Sequence, residues 1–190
     1  MAAPAAAVDF PMSERGAPER VARLVREHYG LVWRLLRRLG LAAGDADDAA
    51  QQVFITAAAK LGEIEAERER AFLYGVSLNV GARVRRSHAR RREEPLEAAG
   101  EGATDQPNAE QLLEQRQARG ALDALLSAMP EELRVVFVLY ELEELSTPQI
   151  AELCSIPLGT CASRLRRARE DFEERVARLE ARRRFSGGER

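Results

Sequence analysis

Lysine is nearly missing from this chain of 190 residues: Lys60 stands alone, and arginine carries the remaining positive charge. Aromatic side chains make up only 5% of the sequence while alanine is abundant, which disfavours a β-sandwich and favours helices. There are two cysteines, Cys154 and Cys161, with no histidine near them. That excludes a disulfide framework and reads as reduced thiols of a cytoplasmic protein, with a redox switch as the weaker alternative. No run approaches the roughly 20 apolar residues that cross a bilayer, so no stable membrane insertion is expected. The opening MAAPAAAVDF has no basic start and is interrupted by Asp9, so it reads as a disordered tail over 1–18 and not as a signal peptide. A Gly-rich phosphate loop, a metal-ligand cluster and a nucleophile beside a base are all absent from the sequence, so nothing argues for an enzyme, a metal or a cofactor.

What is present is an ordinary apolar fraction, 45%, in a length that suits one large or two small domains. The net charge is -2. A stand-alone nucleic-acid binder is usually basic, so the whole chain does not promise strong unaided DNA affinity. The charge is segregated, however. Acid dominates around 63–69, 93–114 and 131–144, and arginine clusters at 83–92 and 164–169. Basic patches can then meet DNA while acidic surfaces meet a protein.

The spacing predicts a helix over 19–39 with Val21, Leu24, His28, Val32, Leu35 and Leu39 on one face and Gly40 ending it. His28 reads as a packed side chain and Trp33 as partly buried. A second helix follows, DADDAAQQVFITAAAKL, with Asp45 as its N-cap. Ala50, Val53, Phe54, Ala57 and Leu61 can face a core. Asp47, Asp48, Gln51 and Gln52 form an acidic-amide patch that periodicity alone reads as a solvated face. A charged connection over 62–68 leads to a long helix from 69 to 91, with Phe72, Leu73, Val76, Val80 and Val84 inward. Its second half is a basic run, in which Arg83, Arg85, Arg86, Arg90, Arg91 and Arg92 can track a phosphate backbone. The run is denser than the helix dipole alone requires. Residues 94–108, rich in Pro, Gly and acid, read as a flexible acidic linker and the boundary between domains at 19–93 and 109–185.

After the linker, Asn108 can cap a helix carrying Leu112, Leu113, Leu122, Leu125 and Leu126, and Pro130 opens another with Leu133, Val136, Phe137 and Tyr140 on one side. Ser146 and Gln149 then have capping-box spacing, with Pro148 in the first turn. Ile150, Ala151 and Leu153 give a short helix one apolar face. Pro157 restarts a helix in which Leu158, Cys161, Leu165, Ala168 and Phe172 form an apolar stripe and Thr160, Ser163, Arg164 and Arg167 the opposite face. Short helix, turn and Arg-faced helix are the pattern of a helix-turn-helix reader, although the turn lacks the usual Gly and a plain helical hairpin shares the periodicity.

Three blocks in order resemble the extracytoplasmic-function (ECF) group of bacterial RNA polymerase sigma factors. DADDAAQQVF is similar to the family's core-binding helix, ERAFLYGVSLNVGARVRR to its promoter-melting helix, and MPEELRVVFVLYELEELSTPQIAELCSIPLGTCASRLRRAR to its second DNA-binding domain. The resemblance implies an all-α protein of sigma domains 2 and 4 that binds core RNA polymerase and directs it to promoter DNA. It implies polymerase contacts at Asp48, Gln51 and Phe54, and a flipped minus-ten base held at Asn79 beside the 62–68 connection. Backbone contacts would come from Arg83, Arg85 and Arg86, and minus-thirty-five contacts from Ser163, Arg164 and Arg167 on the face that also carries Thr160. An anti-sigma factor is the further partner implied. The chain departs from the family pattern at Gly75 and Leu78, where arginines are common, at Gln52, where Glu is common, and at Ala162, where a basic residue is common. A helix-turn-helix regulator acting alone is the alternative; it needs two half-sites about 34 Å apart and a dimer seam, and no sustained heptad is present.

Overall fold

The computed structural model of the chain describes residues 17–92 and 109–187. The tail up to residue 16, the 94–108 linker and the Asn108 cap lie outside the described residues, as do the side chains of Arg91, Arg92, Leu112 and Leu113. Among the described residues every regular element is helical, in two successive groups.

The first group is α1 (Ala17–Arg38), α2 (Ala43–Ala59) and α3 (Glu69–Arg92). Its core joins Leu24, Val32 and Leu36 of α1 to Leu73 and Val80 of α3. Four small residues of α2, Ala46, Ala49, Ala50 and Ala57, are buried in the same cluster. Small side chains there let α2 approach both neighbours closely. Helix α1 starts at Ala17, so the last two residues of the expected tail belong to it. It ends as its sequence implies: Gly40 has φ +94°, Gly40 N–H donates to Arg37 O at 2.9 Å, and Leu41 N–H to Leu36 O at 3.2 Å. That is a Schellman motif.

Two details differ from the sequence reading. Asp45 is not the cap of α2; Ala42 takes that position and Asp45 lies in the first turn, 3.1 Å from His88 Nε2. The carboxylate finds a cross-helix partner in place of the backbone N–H groups. The 62–68 connection is also more ordered than its charge suggests. It forms two 3₁₀ turns, Leu61–Glu63 and Ala66–Arg68, with Leu61 and Ile64 buried beneath. Arg20 holds it from below, donating to the carbonyls of Leu61 and Ile64 and pairing with Glu69 at 2.8 Å.

The second group is α4 (Ala109–Ser127), α5 (Glu131–Phe137), α6 (Thr147–Leu153) and α7 (Leu158–Gly187). A wide turn of π geometry, Val138–Leu142, extends α5. The Ser146 capping box forms as spaced, Ser146 N–H donating to Gln149 Oε1 at 2.9 Å. The turn between α6 and α7 has no Gly, and Ser155 adopts the left-handed conformation at φ +53° in its place. Ile150, Cys161, Leu165 and Ala168 fill the core, and Phe172 stacks on Phe137 with centroids 4.6 Å apart. Leu158, assigned to the apolar stripe from spacing, is 52% exposed, because the first turn of α7 overhangs the core.

The two groups do not hang apart as separate units. Leu35 of α1, Leu39 just after it and Tyr74 of α3 are buried in one cluster with Leu126, Met129, Leu133 and Val136. The seam is also charged. Glu143, 7% exposed, accepts from Arg38 Nη1 at 2.7 Å and from Tyr74 Oη at 2.9 Å. Arg70 Nε donates to the same Tyr74 oxygen at 2.8 Å. Burial, with the Glu143 carboxylate close by, pushes the Tyr74 hydroxyl up to about 12, so it stays a donor. Arg134, buried beneath the Gly40 turn, would collide with any Cβ placed on Gly40. Gly40→Ala therefore meets both a left-handed backbone and a guanidinium, and is expected to lower the unfolding free energy by at least about 1–2 kcal/mol in urea titration.

Candidate nucleic-acid interface

Helical phase decides which arginines face solvent. On α3, Asn79, Arg83, Arg86 and Arg90 recur at steps of four, three and four, and all are exposed. None of these arginines has an ion pair among the described residues. Cations left free of carboxylates on one face can take phosphates. Asn79 at the head of that stripe offers an amide that can both donate and accept toward a base edge.

Arg85 falls out of this set. Its phase turns it toward the second helical group, where Nη1 donates to Leu39 O at 3.1 Å and Nη2 pairs with Glu131. The pairing with Arg85 holds the Glu131 carboxyl below its usual range, against the opposing effect of burial. In this conformation Arg85 is a seam residue and not part of the exposed stripe.

On α7 the same sorting occurs. Arg166 pairs with Glu170 at 2.7 Å, and Arg169 pairs with Glu141 at 2.7 Å while lying over the Tyr140 ring at 5.0 Å. Arg164 and Arg167 have no ion pair among the described residues. Arg167 and Ser163 are exposed; Thr160 and Arg164 are half-buried. Ser163 Oγ donates to Thr160 O at 3.0 Å, which fixes the hydroxyl on the helix surface. The face is thus two unpaired guanidinium forks beside two hydroxyls, the donor set that suits guanine edges and phosphate oxygens.

A third surface lies on α2. Asp48, Gln51 and Gln52 are exposed, and Asp47 accepts from Tyr29 Oη at 3.0 Å. Phe54 is not on this surface: it is 7% exposed and stacks behind Tyr29, with ring centroids 6.2 Å apart. Its side chain packs into the three-helix core. The exposed apolar groups are Tyr29, 37% exposed, and Ile55, 62% exposed, which the sequence reading did not single out. Ile55 was detectable in principle: it follows Asp48 and Gln51 at steps of three and four, an apolar residue in a polar phase. An acidic-amide patch with an apolar centre fits a protein partner better than DNA.

Comparison with known proteins follows the same division. The profile of Sigma-70 region 2 matches residues 24–91, and that of Sigma-70 region 4 matches residues 119–172. The ECF RNA polymerase sigma factor SigE of Mycolicibacterium smegmatis is 30% identical over 156 residues, which cover 82% of this chain and 61% of that protein. The chain thus spans under two thirds of that relative's length. The ECF RNA polymerase sigma-E factor of Escherichia coli is 29% identical over 146 residues, covering 72% of this chain and 76% of that protein. Two solved structures share the fold. One is CnrH in complex with the cytosolic domain of CnrY, with TM-score 0.62, 21% identity and coverage of 86% of this chain and 90% of that one. The other is the sigma factor RpoE in complex with the anti-sigma factor NepR from Bartonella quintana, with TM-score 0.65, 19% identity and coverage of 84% and 98%.

The two thiols sit at the base of the α6–α7 turn. Burial pushes Cys154 up to about 11 and Cys161 upward as well, with Arg164 only partly opposing. At neutral pH this leaves Cys154 roughly a hundredfold less thiolate than an unperturbed cysteine. No cluster of three or more metal-binding side chains occurs among the described residues. The raised thiols work against thiolate chemistry in the turn. In the folded chain at pH 7, Ellman's reagent is expected to modify Cys154 about a hundredfold or more slowly than in the urea-unfolded chain; equal rates would show the turn open to solvent.

Proposed function

Because the chain belongs to the ECF group of sigma-70 factors, we propose that it joins core RNA polymerase and directs promoter-specific transcription initiation. The observation that carries this reading is the pair of unpaired basic faces on two different helical groups, the Asn79–Arg83–Arg86 stripe and the Arg164–Arg167 face. A single reader needs one such face; a factor that recognises two promoter elements needs two.

The roles divide accordingly. Asp48 and Gln51, with Tyr29 and Ile55 at the centre, meet the polymerase. Asn79 holds the flipped minus-ten base, beside the 3₁₀ turns that Arg20 fastens in place. Extruding a base costs a few kcal/mol of unstacking, so a preformed support with cations nearby is what the step requires. Arg83 and Arg86 hold the backbone of the melted strand. Thr160, Ser163, Arg164 and Arg167 read the minus-thirty-five element in the major groove. The net charge of -2 fits a subunit whose DNA grip is shared with a polymerase. The role is regulatory, with no reaction catalysed by the chain alone, and is carried out in the cytoplasm; among the described residues no helix is long and apolar enough to cross a membrane. An anti-sigma factor is the further partner, a reading supported by the two fold relatives, each solved with such a protein or a cytosolic domain bound.

In vitro transcription with core polymerase tests the proposal. Arg167→Ala is expected to cost about 1–3 kcal/mol of promoter affinity and to relax preference at one minus-thirty-five position. Unaltered preference would move recognition off this face. Asp48→Arg is expected to reduce co-purification with polymerase at least tenfold with an unchanged melting temperature, because it inverts an exposed charge and disturbs no core contact.

A further inference from the structure

We propose that the leading tip of α7 reads the methyl group of a thymine, with Leu158 as the side chain that touches it and Ala162 as the small apolar neighbour that leaves it room. The inference rests on the sigma reading above and names a chemical group inside the minus-thirty-five element, where that reading names only the element.

Tyr29, Ile55 and Leu158 are the large apolar side chains exposed among the described residues. The first two share the patch on α2. Leu158, 52% exposed, lies elsewhere, in the first turn of α7. A lone exposed leucine is ordinary on a protein surface; the place of this one is not. Ile156 packs against the core and Cys161 lies fully inside it, so the chain is anchored on both sides while Pro157, Leu158 and Gly159 stay outside. A Cβ added to Gly159 would meet nothing within 4 Å. Helical side chains lean toward the N-terminus of their own helix, so Leu158 projects past the tip of α7. In a helix-turn-helix that tip is the end whose residues contact base edges.

The chemistry at the tip leaves few choices. Residues 158–163, LGTCAS, carry no charge, whereas four arginines follow within 164–169. The guanidinium forks therefore begin about 9 Å behind the leading residue. Ser163 Oγ spends its proton on Thr160 O at 3.0 Å and is left as an acceptor. Successive residues of a helix turn by 100°, so Leu158 and Ala162 stand about 40° apart on one flank of Ser163, with Thr160 and Arg164 on the other. Ala162 is exposed as well. That flank thus offers two apolar groups beside one acceptor.

In the major groove the apolar group that a base presents is the C5 methyl of thymine, and the adenine paired with it presents the N6 amine as a donor. One A·T pair supplies both partners; a G·C pair supplies no methyl. Leu158 meets the thymine methyl and Ser163 Oγ accepts from the amine. A long cationic side chain at position 162 would cross the same space and bring charge to it.

The test uses the full chain assembled with core polymerase. Its preferred minus-thirty-five sequence is first selected from duplexes randomised over that element. Each thymine of the selected duplex is then replaced by deoxyuridine, which removes the C5 methyl and keeps every hydrogen-bonding group. The wild type should lose about three- to fivefold in affinity at one or two neighbouring thymines, the worth of one buried methyl group. Leu158→Ala should bind the thymine and deoxyuridine duplexes equally, and Leu158→Met, which restores the apolar volume, should regain the difference. The melting temperature should be nearly unchanged in both variants, because the side chain is exposed. If no thymine is sensitive to loss of its methyl, or if the discrimination survives Leu158→Ala, the assignment is overturned. Weaker co-purification of Leu158→Ala with polymerase, at an unchanged thymine–deoxyuridine difference, would overturn it too and make Leu158 a protein contact. A selected element without A·T pairs would sink the methyl contact alone, whereas a selection that enriches no element would sink the sigma reading itself.

Discussion

The carboxylate of Glu143 is the point on which the arrangement of the molecule turns. A buried charge is costly unless it is paired and hydrogen-bonded. Glu143 belongs to the second helical group, yet its guanidinium and phenol donors come from α1 and α3 of the first. The groups therefore close as a unit, because neither can satisfy this site alone. The left-handed Glu144 immediately after it, φ +57°, ends the wide turn and leaves the side chain aimed across the seam.

Arginine does two kinds of work in this chain, and geometry separates them. Arg20 fastens a loop to Glu69 through its carbonyls, Arg37 donates to Leu41 O, and Arg38 and Arg85 bridge the seam. These use the planar fork to bind several acceptors at once, which a lysine could not do with the same rigidity. Others, Arg83, Arg86 and Arg167, point into water. A nearly lysine-free sequence thus builds its scaffold and its exposed cationic faces from one residue type, distinguished only by helical phase and by which carbonyls lie nearby.

Much of this was legible in the sequence. The helices, the Schellman ending at Gly40, the Ser146–Gln149 box and the exposed Arg167 face all follow from local rules that tertiary packing did not overrule. What was not legible depended on contacts across long stretches of chain. Arg85 was grouped with Arg83 and Arg86 because a basic run looks uniform; only the second group, bringing Glu131 alongside, separates it. Tyr74 was overlooked because its partner surface lies beyond the linker. Asp45 has a cap's chemistry, but His88 gave it another partner. Phe54 is buried and Ile55 exposed for a similar reason: α2 is buried on two sides by its alanines, so the phase that reaches solvent is narrower than hydrophobicity suggests.

The π turn at Val138–Leu142 has a consequence of its own. Such a turn amounts to one residue inserted in a helix, and each residue carries about 100° of rotation and 1.5 Å of advance. Its effect is to set the azimuth at which α6 and α7 leave α5, much as a washer sets the final angle of a threaded fitting. A gain or loss of one position in this segment would swing everything downstream by more than a quarter turn.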